Sequence, residues 1–360
     1  MKKILSFVCA VCLSLPLYAQ VRGKIAIPDL NGFVTLKCDF HIHTVFCDGN
    51  VWPTIRVDEA YREGLDAISI TDHIEYRPHK DDINTSHNRS YDIAQATAKS
   101  RGIMLIRGSE ITRDMPPGHA NAIFLTNSDA LDTPKYIDAY RAAKAQGAFI
   151  FWNHPGWLSQ QPDTTLWWPE HTQLYEQGLM QGIEVVNGSY FPEGHRWALE
   201  KKLTMLGNSD VHAPMQVFAP GAHRTITLVF ARSATPEAIH EALKERRTAI
   251  YHNEYIIGEE VYLKELFEKA LEWTVVKTET GVNITIKNNS DLTFRLKQAA
   301  HNPNVIYFRN SSIAPFIIAP QGVLTFSVRL LNGIQGGDVN FIVDNFLVQP
   351  NEGMKYTIKI

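Results

Sequence analysis

Short apolar runs alternate with helix-like patterns along the first two thirds of the chain. An apolar run bounded by polar residues or Gly predicts a strand, and apolar residues spaced three and four apart predict a helix. The predicted strands lie at residues 34–40, 67–71, 103–108, 120–125, 148–152, 182–186, 204–206 and 225–230, and the predicted helices at 54–63, 89–100, 136–146 and 236–247. This order predicts an α/β fold, either a parallel barrel or a doubly wound sheet.

The pattern changes after a helical stretch at residues 259–273. Seven strand-like runs separated by Asn, Gly, Pro and Ser follow it, at residues 274–278, 282–287, 293–298, 305–308, 323–330, 339–343 and 354–360. So many short strands in one segment predict a small β-sandwich. We therefore expect a first domain at residues 33–258, a linking helix at 259–273 and a C-terminal β-sandwich at 274–360.

The first residues have the pattern of an export signal. Lys2 and Lys3 precede an apolar run at residues 4–17, and Ala19 precedes Gln20. This pattern predicts a signal peptide at residues 1–19 and a periplasmic or secreted protein. An uncleaved anchor is the alternative, but the run is short for crossing about 30 Å of hydrocarbon. No later run is long and apolar enough to form a transmembrane segment.

Charge and cysteine content argue against a nucleic-acid-binding protein and against a fold held together by disulfides. The 360 residues contain 35 basic and 38 acidic side chains, a formal net charge of -3, which argues against nucleic acid as a structural partner. Two of the four cysteines lie in the predicted signal, so Cys38 and Cys47 provide no disulfide framework. Cys38 is expected to be a small buried residue, and Cys47 either the same or a reactive thiol.

Histidines and carboxylates occur where the predicted strands end. His41 and His43 stand two residues apart, so a strand would point both imidazoles to one side. The other members of this set are Asp48, His73, Glu110, His119, His154, Asp210 and His212. Because the set is spread over almost every strand rather than gathered at one switch point, a barrel is favoured over a wound sheet.

These nine side chains together favour metal binding. Any one of the six histidines taken alone would more often be an ordinary hydrogen-bonded residue than a ligand. In a barrel, however, the carboxyl ends of the strands converge on one mouth, where so many unpaired polar groups would be costly. Nine ligands exceed the coordination number of one ion, so we expect two or three metal ions with some carboxylate bridging.

The ordered motifs resemble those of the polymerase and histidinol phosphatase (PHP) superfamily. They are His41-Ile42-His43-Thr44 with Asp48-Gly49, then Thr71-Asp72-His73, Gly108-Ser109-Glu110, Asn153-His154-Pro155 and Ser209-Asp210-Val211-His212. The resemblance covers residues 33 to 258 and implies a distorted (β/α)7 barrel. It also implies two or three divalent Zn, Mn or Fe ions and hydrolysis of phosphoesters. The region after the barrel and the export signal look like the Sphingobacterium-type phosphodiesterase subgroup.

The resemblance also implies how the ligands are divided. The first ion would take His41, His43 and Asp210, the second His119 and His154, and the third Asp48, His73 and His212. Glu110 would bridge the first two ions, and Glu110 and Asp210 are counted as catalytic because they hold them. The sequence itself supports only the pairing of His41 with His43.

Other residues are candidates for substrate handling. Close metals make a hydroxide available near neutral pH and neutralise phosphoryl oxygens, so no side-chain nucleophile is needed. His195 and His223 are candidates for a general acid, and each could equally be a histidine with no role. Arg89 and Arg224 could grip the phosphate, although a salt-bridged surface role is the more common one for an Arg.

The sequence is compatible with three functions. The leading one is an exported metal-dependent phosphodiesterase acting on a small phosphoester. The second is a phosphomonoesterase of the same barrel acting on a small phosphorylated metabolite, and the third is a non-catalytic metal-loaded binding module. The oligomeric state is left open. The sequence favours a separable barrel, so a chain ending near Gly258 is expected to stay at least marginally soluble, keep all nine ligands and retain some phosphodiesterase activity.

Overall fold

A computed structural model describes residues 21–83, 85–216, 222–299, 305–308, 315–331 and 336–360. The predicted signal peptide at residues 1–19 lies outside the described residues. Among those that are described, no helix is long and apolar enough to cross a membrane.

The eight strands and four helices predicted in the first domain are present, together with three strands and two helices that were not predicted, at residues 189–190, 248–252, 255–258, 169–176 and 192–201. Its strands are β1 Val34–Asp39, β2 Ala67–Ile70, β3 Met104–Ile111, β4 Ala120–Ile123, β5 Phe149–Trp152, β6 Gly182–Asn187, β7 Ser189–Tyr190, β8 Thr204–Asn208, β9 Ile226–Ala231, β10 Thr248–His252 and β11 Tyr255–Gly258. Its helices are α1 Pro53–Glu63, α2 Arg89–Arg101, α3 Tyr136–Ala145, α4 Pro169–Glu176, α5 Pro192–Lys201 and α6 Pro236–Lys244.

These strands form a distorted barrel, so the expected fold class is confirmed. β1, β2 and β3 pair in parallel, and β5, β6 and β8 form a second parallel group. β4 runs antiparallel between the two groups, and β9 runs antiparallel beside β1. Side-chain hydrogen bonds join β8 to β9, where Thr227 Oγ1 accepts from the Gly207 N–H at 3.0 Å and donates to the Gly207 carbonyl at 2.7 Å.

The direction of β4 matters for the site. A parallel strand brings its last residues to the mouth of a barrel, whereas an antiparallel strand brings its first. His119 directly precedes β4, and its carbonyl accepts a hydrogen bond from the N–H of Asn153, which directly follows β5. His119 therefore reaches the same mouth as the residues that follow the parallel strands.

The C-terminal region forms two packed sheets, as expected for a β-sandwich. One sheet contains β12 Leu271–Thr278, β13 Gly281–Asn288, β15 Val305–Phe308 and β17 Val323–Leu330. The other contains β14 Phe294–Gln298, β16 Phe316–Ile318, β18 Asp338–Gln349 and β19 Glu352–Lys359. β16 was not expected. The helix between the domains is α7 Glu260–Ala270, so it ends before residue 273 and the first strand begins at Leu271 rather than at 274.

The two domains are joined more closely than the sequence suggests. β18 pairs in parallel with β11, with Ile256 opposite Phe346, so the barrel sheet continues into the sandwich. One apolar cluster also spans both domains, from Phe230 in β9 through Phe267 in α7 to Phe346 in β18. The barrel is therefore covered by the sandwich through a shared core, not through a modest contact.

Candidate metal centre

The nine candidate side chains meet at one mouth of the barrel because backbone hydrogen bonds hold the ends of the strands together. The N–H of His43 donates to the Val211 carbonyl at 3.1 Å, and the N–H of Asp210 donates to the His41 carbonyl at 2.9 Å. His73 likewise bridges to Glu110 across the next strand pair. Segments far apart in sequence are thus fixed side by side.

The donor atoms of these residues form overlapping groups in which all donors lie within 4.8 Å of one another. The groups are His41, His43 and Asp210; His43, Asp48, His73 and His212; His41, Glu110 and His154; and His73, Glu110 and His119. Each of the nine residues belongs to at least one group. The structure therefore brings together all nine residues that the sequence selected.

Glu110 lies at the centre of the cluster and is fully buried. Its Oε2 atom lies 2.7 Å from His73 Nδ1 and 3.5 Å from His41 Nε2. Its Oε1 atom accepts from Asn153 Nδ2 at 2.8 Å and lies 3.0 Å from His119 Nδ1. The two oxygens of one carboxylate thus face two different groups of imidazoles, as a bridging ligand would.

Several atoms of the cluster lack a partner that a protein would normally supply. Oδ1 of Asp48, Oε2 of Glu110 and Oδ1 of Asp210 are buried and receive no well-directed hydrogen bond within the described structure. The Nε2 atoms of His41 and His43 face each other at 3.1 Å. Because buried carboxylate oxygens without hydrogen bonds are costly, and imidazole nitrogens lie beside them, divalent cations fit this donor set. Oxygen and imidazole donors without a thiolate suit Zn, Mn or Fe.

Burial and mutual interaction set the charges in the cluster. Burial raises the pKa of Glu110, but the imidazoles of His73, His119 and His41 outweigh it and hold the pKa well below its usual value. Burial lowers the pKa of His73, but Glu110 and Asp48 reverse this and raise it to about 10. The carboxylates therefore stay ionised, ready to bind cations.

Two of the nine candidate residues lie in the left-handed region of the backbone. φ is 28° at His154 and 52° at Asp210, an uncommon conformation for residues with a side chain. Such backbone strain concentrates at functional sites. At His154 a hydrogen bond from its N–H to Glu184 Oε2, 2.8 Å long, holds the peptide in place.

Glu184 is a buried carboxylate that the sequence analysis missed. Its Oε1 atom lies 2.9 Å from His41 Nδ1 and accepts from Asn208 Nδ2 at 2.9 Å. Its Oε2 atom accepts from the His154 N–H and from Asn187 Nδ2, both at 2.8 Å. The signal that could have found it is an acid inside the apolar run of β6, since a buried charge needs partners.

Arg56 is a second missed residue and is also fully buried. Its guanidinium donates to the carbonyl oxygens of His43, Val211, His212 and Ala213. One side chain of α1 thereby ties together the two segments that carry the paired ligands.

Cys47 and Asp72 support the first histidine pair. Cys47 Sγ lies 3.2 Å from His43 Nδ1 and 3.1 Å from Asp72 Oδ1, and burial raises the pKa of the thiol. Asp72 also accepts from the N–H of Thr44 at 2.7 Å. Burial therefore favours a protonated thiol at Cys47 over the reactive thiolate that was one alternative.

The structure places the four candidate substrate-handling residues away from the cavity at the cluster. His195 is fully buried in α5, where its Nδ1 lies 2.9 Å from the Tyr190 hydroxyl, and burial lowers its pKa to about 4. His223 contacts backbone carbonyls and packs on Tyr251. Neither lines the cavity, so the structure does not support His195 or His223 as the general acid.

The structure also does not support the two arginines as residues that grip the phosphate. Arg224 is buried and bound by two carboxylates, with Nη1 2.9 Å from Asp39 Oδ2 and Nη2 2.8 Å from Glu63 Oε1. Its charge is thus neutralised inside the protein, and it does not line the cavity. Arg89 is exposed at the first residue of α2 and does not line the cavity.

A cavity of about 510 Å³ opens above the cluster. The candidate ligands that line it are Asp48, His73, Glu110, His119, His154, Asp210 and His212, and the other lining residues are Gly156, Trp157, Leu158, Asn187, Ser189 and Phe191. One side is thus rich in metal donors and the other is mostly apolar. Among the described residues, no Lys or Arg lines this cavity.

Comparison with known proteins agrees with this architecture. The chain is similar to a two-domain protein from Bacteroides vulgatus ATCC 8482 that contains a predicted PHP-like metal-dependent phosphoesterase. The two are 54% identical, the match covers 95% of this chain and 100% of that one, and the TM-score is 0.92. Residues 269–359 match the family model of an Ig-like domain, DUF5001. The chain is also 27% identical over 193 residues to the uncharacterized protein MJ1295 of Methanocaldococcus jannaschii, covering 50% of this chain and 83% of the relative.

Proposed function

The chain belongs to the PHP superfamily of metal-dependent phosphoesterases, and we propose that it hydrolyses phosphodiesters at the cluster of nine histidines and carboxylates. The observation that carries the proposal is the convergence of these donors around buried carboxylate oxygens that receive no well-directed hydrogen bond. A purely structural cluster would have satisfied those oxygens with hydrogen bonds.

We propose that two or three Zn, Mn or Fe ions bind here. One ion would be held by His41, His43 and Asp210, a second by His119 and His154, and a third by Asp48, His73 and His212, with Glu110 shared between the first two. The first and third sets each lie within one of the observed donor groups. When bound, such ions lower the pKa of water and neutralise phosphoryl oxygens.

The residues of the chain would position the reaction. A new P–O bond forms to the oxygen of water, the bond to the leaving oxygen breaks, and that oxygen takes up a proton. Asn153 holds Glu110 through the 2.8 Å hydrogen bond to its Oε1 atom, and Glu184 holds His41. Ser189 and Asn187 are the uncharged polar residues that line the cavity beside the ligands.

The charge of the cavity supports a diester over a monoester. A phosphomonoester carries about two negative charges near neutral pH, a diester carries one, and Arg is the usual group that grips additional phosphoryl oxygens. No described residue lining the cavity supplies such a cation. The cavity volume of about 510 Å³ also supports a small phosphoester as substrate, because sites for small molecules are of this size.

The experiment is a direct comparison of two chromogenic esters. Purified protein is stripped with chelator, reloaded separately with Zn, Mn or Fe, and assayed with bis(p-nitrophenyl) phosphate and with p-nitrophenyl phosphate. The proposal expects turnover of the diester that depends on metal and exceeds turnover of the monoester. Faster turnover of the monoester would favour the monoesterase, and metal binding without turnover of either ester would favour a binding module.

Export is a separate part of the proposal. The pattern at residues 1–19 supports a signal peptide and a periplasmic or secreted enzyme. Expression with and without these residues, followed by cell fractionation and N-terminal sequencing, tests it. An intact N-terminus on protein recovered from the cytoplasm would contradict export.

A further inference from the structure

The apolar side of the cavity points to one class of substrate. We propose that Trp157, Leu158 and Phe191 form a subsite for a flat aromatic ring carried by the phosphoester. This inference rests on the proposed function, because it places the phosphate at the nine-residue cluster. Beyond that function, it identifies the organic group of the substrate as aromatic and names the residues that select it.

Two exposed apolar side chains line this side of the mouth. Trp157 is 43% exposed and Leu158 is 71% exposed, and both line the cavity together with Phe191. Large apolar side chains left in water beside a polar site usually mark a surface that a ligand covers.

Trp157 lies one ring away from the proposed metal ligands. Its ring centroid is 5.5 Å from that of His119 and 5.1 Å from that of His154, both in edge-on contact. An aromatic group attached through one ester oxygen to a phosphate at the cluster would therefore lie within reach of the indole. Aromatic rings pair favourably at centroid distances of about 4.5 to 7 Å.

The loop that carries Trp157 is already held in shape. Gln161 is 5% exposed; its Nε2 donates to the Pro155 carbonyl at 2.6 Å, and its Oε1 accepts from the Leu166 N–H at 2.8 Å. A Cβ at Gly156 would come within 2.6 Å of the Phe191 ring, so only glycine lets the loop pack this closely. A wall that is ordered in advance loses little conformational entropy when it binds a ring.

The same wall lacks charge that would favour a polar organic group. The polar residues among the described lining that are not proposed ligands are Asn187 and Ser189. The Nδ2 of Asn187 donates to Glu184 Oε2 at 2.8 Å and lies 3.2 Å from Asp210 Oδ2. The amide N–H groups of Asn187 are thus engaged with Glu184 and Asp210 and are not free to bind a polar organic group.

The test compares two phosphonates that differ only in their organic group. Phenylphosphonate and methylphosphonate have P–C bonds that the enzyme does not hydrolyse, and each has one organic group to place. Their binding to metal-loaded protein is measured by calorimetry, and their inhibition of bis(p-nitrophenyl) phosphate hydrolysis is measured in parallel. We expect phenylphosphonate to bind about tenfold more tightly than methylphosphonate.

Variants assign that preference to the wall. Trp157→Ala should bring the two affinities to within about twofold, and Trp157→Phe should keep most of the preference because it keeps an aromatic face. Trp52→Ala is the matched control, since Trp52 is 46% exposed but does not line the cavity. It should behave as the parent protein.

The outcomes separate this inference from the proposed function. Equal affinity for the two phosphonates, or a preference unchanged in Trp157→Ala, would overturn the aromatic subsite even if the diester is hydrolysed. A preference lost in Trp157→Ala would support the subsite even if no diester is hydrolysed, and only the proposed function would then fail.

Discussion

The Nδ1 atom of His41 lies 2.9 Å from the Oε1 atom of Glu184, and both side chains are fully buried. This contact leaves His41 Nε2 facing His43 at 3.1 Å and Asp210 at 3.2 Å. A carboxylate on one ring nitrogen fixes the proton there and leaves the other nitrogen's lone pair free for a cation. Glu184 therefore positions His41 without belonging to the cluster itself.

Removing the Glu184 carboxylate should weaken metal binding. Glu184→Ala takes away the acceptor of His41, and we expect about a 10- to 100-fold loss of metal affinity, the usual effect of losing an outer partner of a ligand. Glu184→Gln should lose less, because one amide oxygen can still accept from His41. Competition with a chromophoric chelator gives the affinity.

Glu176→Gln, an exposed substitution in α4, is the control for surface charge. Metal affinity of Glu184→Ala equal to that of the parent protein would remove Glu184 from the positioning role. Urea unfolding of the metal-free variants separates a positioning effect from loss of fold.

Glu110→Gln should have a larger effect on activity than any change at Glu184. The substitution removes a buried carboxylate whose two oxygens face different imidazole groups. We expect kcat/KM for the diester to fall by more than about 100-fold. The substitution changes a proposed ligand shared by two ions, whereas Glu184 only positions a ligand. The fold should survive because the side chain lies at the mouth and not in the core.

Circular dichroism and thermal unfolding check that fold, with Glu200→Gln in the exposed part of α5 as the control. Turnover of Glu110→Gln within a few-fold of the parent protein would exclude Glu110 from the reacting centre.

The protein should hold at least two divalent transition-metal ions per chain. Nine donors crowd the site and three of its carboxylate oxygens receive no well-directed hydrogen bond, so one ion would leave part of the donor set without a cation. Elemental analysis after native purification and metal supplementation measures the content. Chelation should lower the melting temperature, because ions that bind only the folded state stabilise it. A content below one ion per chain would contradict the proposed site.

The sequence could predict the nine donors because most of them lie at or next to the end of a predicted strand, and Asp48 lies in the loop that follows the first one. Asp210 and His212 repeat the two-residue spacing of His41 and His43, and that spacing alone indicates a shared side of the chain. His119 differs from the other histidines because it precedes its strand. It reaches the mouth because β4 runs antiparallel to its neighbours.

The residues that position the donors could not be predicted in the same way. Glu184 and Arg56 act through contacts with segments far away in sequence, such as the 157 residues that separate Arg56 from Ala213. Arg224 fails as a phosphate ligand for a related reason, because Asp39 and Glu63 neutralise it from two other elements. The spacing of residues along the chain does not indicate which distant residues will be in contact.

Stability should fall between about pH 6.5 and pH 4 through His171. Its Nε2 donates to the Pro117 carbonyl at 2.7 Å, and its Nδ1 accepts from the Trp168 N–H at 3.1 Å. Burial lowers its pKa to about 4. The unfolded chain, with an ordinary pKa of about 6.5, therefore takes up a proton first as the pH falls. The stabilisation is complete above pH 6.5 and amounts to up to about 3 kcal/mol.

His171→Gln should be less stable near pH 7 but should lose stability less steeply toward pH 4. Urea unfolding with chelator present measures this, so that proton competition at the metal site is excluded. His79→Gln, at an exposed position, is the control and should keep the parent slope. Parallel pH profiles for the parent protein and His171→Gln would contradict the assignment.

Ending the chain at Gly258 should give an aggregated protein, contrary to the expectation from sequence of a separable barrel. The truncation removes β18, whose Phe346 and Leu347 pair with Ile256 and Ile257 of β11, and exposes the apolar face around Phe230. Exposed apolar faces beside an unpaired strand edge promote association. Soluble yield and size-exclusion profile, compared with a chain spanning residues 21–360, measure the outcome. A monodisperse, metal-replete truncation would show that the shared core is not needed to hold the nine donors in place.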